Sequence, residues 1–561
     1  MDDEWGITGG YHDVHGTWHE TSDQTRSRLR LAMGIPEPGR PMWFVTMGHT
    51  HRLWSECTLV LEDGSRRRAT HDLPDDLPIG YHDLIPVDGG PATRLVVHPA
   101  VCPPVPRVWG VAAQIYALWS SSSWGIGDLG DVRRLAESLR AVGGDALLLS
   151  PLHQPAPTLP QEASPYYPST RRAWNPLLIA VDAPVPAHLR CNPDRLIDRD
   201  EVWISKRSVL EAEFDAHLDT LERSGNQPPQ PGPIAWWNGR CDVLHSDWQT
   251  WSPDEDQDDP ELLYRARFHD WLQAKVQSQL AAINATGVTL IGDLAVGFSP
   301  LGADSYEYRH LLAFSERIGA PPDEFNPAGQ NWGIPPFVPW RLRAALYQPF
   351  IDTVRATLQG MGGLRIDHMM GLFRQYWVPE GGSPDDGAYV RFPAADLLAI
   401  LAIESTRAGA FVVGEDLGTV EPQVHHAMRQ FGIVGTKVLW FEDDPPAQWP
   451  KQALATITTH DLPTLAMVLS RARSNPDQPV DDDEYATTDP VLARLLAVIG
   501  DERDAAAAVN AAHAELLASP ALLRLMTTDD LAGATRQPNV PGLNDQPNWR
   551  IRLPQPVTDL L

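Results

Sequence analysis

"GGLRIDHMMGLFR", residues 362–374, runs a short apolar segment straight into Arg365, Asp367 and His368. Leu364 and Ile366, after two glycines and around Arg365, read as a short strand of the largely apolar kind that is buried on both faces. Such a strand does not ordinarily end in three polar groups. The same grain recurs in "WGVAAQIYAL" (109–118), "DALLLSP" (145–151), "VTLIGDLAV" (288–296), "AFVVGEDLG" (410–418), "GTKVLWFE" (435–442), "ALATITTHD" (453–461) and "ALLRLMTTDDL" (521–531). Helical patterns separate these runs, as in "VRRLAESLRAVG" (132–143), which closes on glycine. About eight apolar strands alternating with helices predict an α/β fold, a (β/α)8 TIM barrel carrying helical insertions.

Working outward, the barrel is expected over residues 106–561, with insertions at about 193–285 and 299–345. The first insertion is helical and polar and holds the acidic "SPDEDQDDPE" (252–261); "PDQPVDDDE" (476–484) reads as a solvated loop. Before the barrel, "PMWFVTMGHTHRLWSECTLVLEDGSRRRATHDLP" (41–74) alternates roughly with period two and is broken by "EDGS". Residues 1–105 are therefore expected to form a small β-rich domain that ends at the proline cluster "HPAVCPPVPR".

Composition narrows the function. Of 561 residues, 45 are Lys or Arg and 73 Asp or Glu, a net charge of −28 that repels nucleic acid and anionic lipid. Cys57, Cys102, Cys191 and Cys241 lie far apart with no metal spacing, as isolated thiols of a reducing compartment do. "MDDEWGITGG" has no signal-like apolar region and no run approaches about 18 apolar residues, so a cytoplasmic location is expected. The 20 Trp outnumber the 12 Tyr and 13 Phe; most of these rings serve as core, but flat rings also suit the apolar faces of pyranoses.

Four of the strands end in carboxylates: Asp293, Asp367, Glu415 and Asp461. One alone would read as a helix cap or half of an ion pair. Four at the C-terminal ends of parallel strands converge, and would repel unless a cation, protons or a substrate use them. With no metal-ligand spacing, carboxylates beside abundant Trp point to chemistry at a glycosidic bond, where one carboxyl protonates the leaving oxygen and another meets the oxocarbenium-like centre. The alternative use is a divalent cation. No Gly-rich phosphate cradle accompanies the carboxylates, which lowers that option.

The strings "SPYYPSTRRAWNPLLI" (164–179), "GDLAVGF" (292–298), "AGQNWGIPP" (328–336), "LRIDHMMGLFRQYWVP" (364–379), "VVGEDLGTVEPQV" (412–424), "TTHDLPT" (458–464) and "QPNVPGLNDQPNWRIRLP" (537–554) resemble the 4-α-glucanotransferase family, amylomaltase or disproportionating enzyme, of the α-amylase clan. The matches run in the family's order from about residue 108 onward. The resemblance implies transfer of α-1,4-glucan segments between maltooligosaccharides by a retaining double displacement, with no cofactor or metal. It makes Asp367 the nucleophile, Glu415 the general acid/base and Asp461 the third carboxylate, which holds sugar hydroxyls. Tyr166 would stack on the reacting glucose and Asn175 brace its loop. Asp293 would hydrogen-bond near the nucleophile. Arg365, two residues before Asp367 and on the same side of the strand, can keep that carboxylate ionised. His460 matches a sugar contact, and His368 either that or a strand-end hydrogen bond. Gln330 and Trp332 belong to a loop expected to overhang the cleft. Where many members carry "THDND", this chain has Leu462 and Pro463 after Asp461.

Two other readings compete. A hydrolase of the same clan would use water as acceptor; "GQNWGIPPFVPW" argues against it if Trp332, Pro335, Pro336, Phe337 and Trp340 form a stiff apolar lid. A non-catalytic glucan-binding protein would need no general acid, yet Glu415 is present. The sequence assigns no oligomeric state.

Overall fold

The computed structural model describes residues 3–13, 16–251, 259–322, 326–418, 420–473, 490–500, 504–543 and 546–561. Residues 252–258 of the acidic run and the whole of the loop at 476–484 lie outside them. All eight expected strands are present: β1 (Val108–Ala113), β2 (Ala146–Leu149), β3 (Thr289–Leu294), β4 (Gly363–Ile366), β5 (Phe411–Gly414), β6 (Gly435–Val438), β7 (Ala453–Thr456) and β8 (Leu523–Thr527). They form one eight-stranded sheet in the order β5-β4-β3-β2-β1-β8-β7-β6. Val413 of β5 makes a parallel bridge to Val434, next to β6, which brings the order back on itself as a barrel requires.

Every residue of β4, β5 and β7 is buried, Arg365 of β4 included, which accounts for the largely apolar run of β5 and β7. Gly110 in β1 is needed for strand contact: a Cβ there would lie 1.7 Å from the Ala146 carbonyl oxygen of β2. Helix α1 (Leu129–Ala141) starts at a reciprocal cap between Asp128 and Asp131, and Gly143 follows its end with φ 86°. The first insertion supplies α2 (Arg199–Arg223), α3 (Pro233–Leu244) and α4 (Pro260–Asn284). The second holds the strands Glu316–Ala320 and Gln330–Asn331, which join Arg374–Pro379 and Ala388–Arg391 in a four-stranded antiparallel sheet.

The chain forms two compact units. The first comprises residues 1–104, 296–300 and 307–434; the second, 105–295, 301–306 and 435–561. In the first, five strands between Met42 and His98 make a sheet, with a hairpin between Cys57–Val60 and Arg66–Ala69 at "EDGS". A core in the same unit joins Ile7, Leu29, Met33, Tyr81 and Val96 to Trp377, Ile400 and Ile403. The Tyr81 hydroxyl donates to Glu404 at 2.8 Å, and Thr8 N–H to the Tyr389 carbonyl at 3.0 Å. The N-terminal residues thus share their core with the segment that carries β4 and β5.

Candidate active site

In the first unit, Ile366 of β4 pairs with Gly414 of β5, so Asp367 and Glu415 leave their strands at the same level. The ladder runs one step further, Glu415 N–H donating to the Ile366 carbonyl and Met369 N–H to that of Glu415, both at 2.9 Å. Period two sets Arg365 beside Asp367, and the guanidinium Nη2 lies 3.1 Å from Asp367 Oδ1. His368 takes a left-handed backbone, φ 49°, and this turn aims its N–H at Glu415 Oε2, 3.0 Å away. Leu417 N–H donates to Oε1 at 2.8 Å. Burial pushes Glu415 up to about 7; Arg365 and the two amides oppose the rise and the Asp367 charge adds to it.

Burial pushes His368 down to about 4, so its ring is neutral near pH 7. The ring meets Trp332 edge-on with centroids 5.2 Å apart, and Trp332 Nε1–H donates to Gln330 Oε1 at 3.0 Å. The stiff lid is smaller than its sequence suggested. Phe337 packs on Phe298 and Tyr308 at 5.7 and 6.0 Å, and Trp340 lies against the hydrophobic core. Both are anchors, because Pro335 and Pro336 are buried and turn the following residues inward.

In the second unit, Asp293 sits on β3 and accepts from the Tyr166 hydroxyl at 2.7 Å. The Tyr166 ring stacks on His460 at 4.8 Å and 22°, and both rings meet Trp549 at 5.4 Å. Asn175 caps the turn after the Tyr166 loop, its Oδ1 accepting from Leu177 N–H at 2.9 Å. His460 Nε2 is 3.3 Å from Asp461 Oδ2, while Asn539 Nδ2 donates to Asp461 Oδ1 at 2.6 Å. Asn539 N–H also donates to the His460 carbonyl at 3.1 Å. The Pro463 carbonyl accepts from Trp440 Nε1 at 2.8 Å and Thr458 Oγ1 at 2.9 Å. The Leu462-Pro463 departure therefore falls on a loop fastened through its backbone.

Asn539, Trp549 and Asp529 escaped the sequence reading. Asp529 follows β8; burial and the neighbouring Asp530 charge push it up to about 7, with His460 opposing. The signal for it was present, since "MTTDDL" ends a strand in carboxylates as the other four do. Asn539 and Trp549 come from a stretch without periodicity, and only folding brings them to His460. Among the described residues, no group of three His, Cys, Asp or Glu side chains is arranged to hold a metal ion, and no helix is long and apolar enough to cross a membrane.

A family model described as 4-alpha-glucanotransferase matches residues 113–558. The chain belongs to the 4-alpha-glucanotransferase family. The 4-alpha-glucanotransferase of Mycobacterium tuberculosis (strain H37Rv) is 36% identical over 568 residues, covering 87% of this chain and 78% of its own. That of Haemophilus influenzae is 35% identical over 462 residues, 69% of this chain and 65% of its own. Among solved structures, the amylomaltase from Corynebacterium glutamicum matches with TM-score 0.81 and 30% identity over 99% of this chain and 96% of that one. This likeness includes N-terminal residues that the 4-alpha-glucanotransferase model leaves out. An amylomaltase from Streptococcus agalactiae, in complex with acarbose, shares the fold at TM-score 0.61 and 18% identity, over 80% of this chain and 95% of that one. As a 4-alpha-glucanotransferase, the chain moves α-glucan segments from one glucan to another.

Proposed function

We propose that transfer proceeds by retaining double displacement on maltooligosaccharides and α-1,4-glucans. Asp367 attacks the anomeric carbon, Glu415 protonates the departing oxygen, and a covalent glucosyl-enzyme forms at Asp367. Glu415 then takes the proton from the acceptor's 4-hydroxyl, which displaces Asp367. The observation that carries this reading is the pairing of an Asp367 held by Arg365 with a Glu415 pushed up to about 7: adjacent carboxyls in different environments divide into nucleophile and acid. Asp461, with His460, binds hydroxyls of the reacting sugar; Tyr166 supplies a stacking face and Asp293 fixes its hydroxyl; Gln330 and Trp332 contact the acceptor. A cytoplasmic location suits four separated thiols.

The test is incubation with maltotriose alone. An acceptor held in place competes with water through an effective molarity of roughly 10⁵ M or more. Glucose and a ladder of longer oligomers should form while the number of reducing ends stays nearly constant. A steady rise in reducing ends without longer products would make the chain a hydrolase, and no turnover would leave only glucan binding.

A further inference from the structure

Arg199 opens helix α2, in the insertion read from the sequence as a polar addition to the barrel. It is only 8% exposed, and burial lowers its pKa to about 10. Among the described residues no carboxylate forms an ion pair with it. A buried guanidinium without an anion is expensive unless its donors are used. Nη2 donates to the Trp549 carbonyl at 2.6 Å, and the guanidinium lies 5.2 Å from the centroid of the Tyr116 ring, a cation–π arrangement. Trp549 is itself in the left-handed region at φ 62°, a conformation that a bulky residue holds only when its surroundings impose it. The neighbourhood is stitched on both sides. Ile197 N–H donates to the Arg550 carbonyl at 2.8 Å, Arg550 Nε to the Ile197 carbonyl at 3.1 Å, and Arg552 to the carbonyls of Gly125, Asn192 and Arg195. The Trp549 indole lies against Tyr166 and His460.

We propose that Arg199 is a positioning residue for glucan transfer: through the Trp549 carbonyl it holds the indole that fixes the Tyr166 and His460 rings. The first insertion thereby contributes to the site without touching substrate. The inference rests on the proposed role of Tyr166 and His460 as sugar contacts. A positioning role predicts that loosened rings weaken substrate binding, whereas a merely structural role lowers the amount of active enzyme and leaves KM alone.

Arg199→Ala should raise KM for maltotriose about ten- to hundredfold, the worth of one hydrogen bond to a charged group, with a smaller fall in kcat. Millimolar guanidinium should restore much of the loss, entering by the pocket lined by Tyr116, His153, Glu162, Ser164 and Arg199. Arg199→Lys keeps the charge and one donor but not the planar fork; it should show an intermediate KM that guanidinium does not change. Should Arg199→Ala fail to fold, Arg199→Lys decides alone, and a wild-type KM in it overturns the proposal. A fall in kcat only, without rescue, does the same. Tyr166→Ala separates the two levels. If it raises KM while both Arg199 variants keep the wild-type value, the positioning role fails and the sugar-contact reading stands; if it leaves KM unchanged, the underlying reading fails first.

Discussion

Glu415 accepts N–H bonds from Leu417 and His368 and feels Arg365, all of which favour its charged form, yet it is pushed up to about 7 because burial outweighs them. As the acid of the proposed first step it must be protonated, so turnover should fall as pH rises through about 7, measured as initial rates on maltotriose. Glu415→Gln should lose on the order of 10²–10⁴ in rate and flatten that limb. The same shift has a consequence for stability. The folded pKa lies above the unfolded one, so the folded state gains protons between about 4.5 and 7; the penalty of burying the charge is absent below this window and complete above it. Gln carries no such penalty, although its amide nitrogen must face one of the two N–H donors. From pH 5 to pH 8 the stability of Glu415→Gln relative to wild type should therefore rise by on the order of 1–3 kcal/mol, read by urea unfolding.

The loop that follows β7 shows what strand ends do beyond carrying carboxylates. Asp530, just past β8, accepts from Leu465 N–H at 2.8 Å and from the Thr527 hydroxyl at 2.9 Å. Leu465 begins the helix α5 (Leu465–Arg473), so one buried carboxyl ties the exit of β8 to the end of the loop bearing His460 and Asp461. Asp530→Ala leaves a buried N–H without its acceptor and should cost about 1–3 kcal/mol in stability. Asn539 holds the other side of Asp461 by charge-assisted hydrogen bonding. Asn539→Asp removes that donor and sets a second negative charge against Asp461; kcat/KM on maltotriose should drop at least tenfold with far-UV circular dichroism unchanged.

At the scale of the whole molecule, the N-terminal hundred residues share the core that includes Trp377, Ile400 and Ile403. Removing residues 1–105 would uncover that core, and the shortened chain should aggregate or lose its cooperative thermal transition, observable by calorimetry and size-exclusion chromatography. The sequence by itself determined the barrel, because a strand covered on both faces is predominantly apolar and eight such runs cannot be hidden. It also singled out Asp293, Asp367, Glu415 and Asp461 as candidates for chemistry, since a charge at the end of an apolar strand needs a use, and set Arg365 beside Asp367, since period two is local. Tertiary structure alone decided which aromatic residues face a site and which fill a core: Trp332 meets His368, while Phe337 and Trp340, a few residues on, turn inward. It alone brought Asn539, Trp549 and Arg199 to His460 and its neighbours. Their positions depend on contacts from dozens to hundreds of residues apart, which leave no period in the chain, and the burial that sets Glu415 near neutrality exists only once the strands have packed.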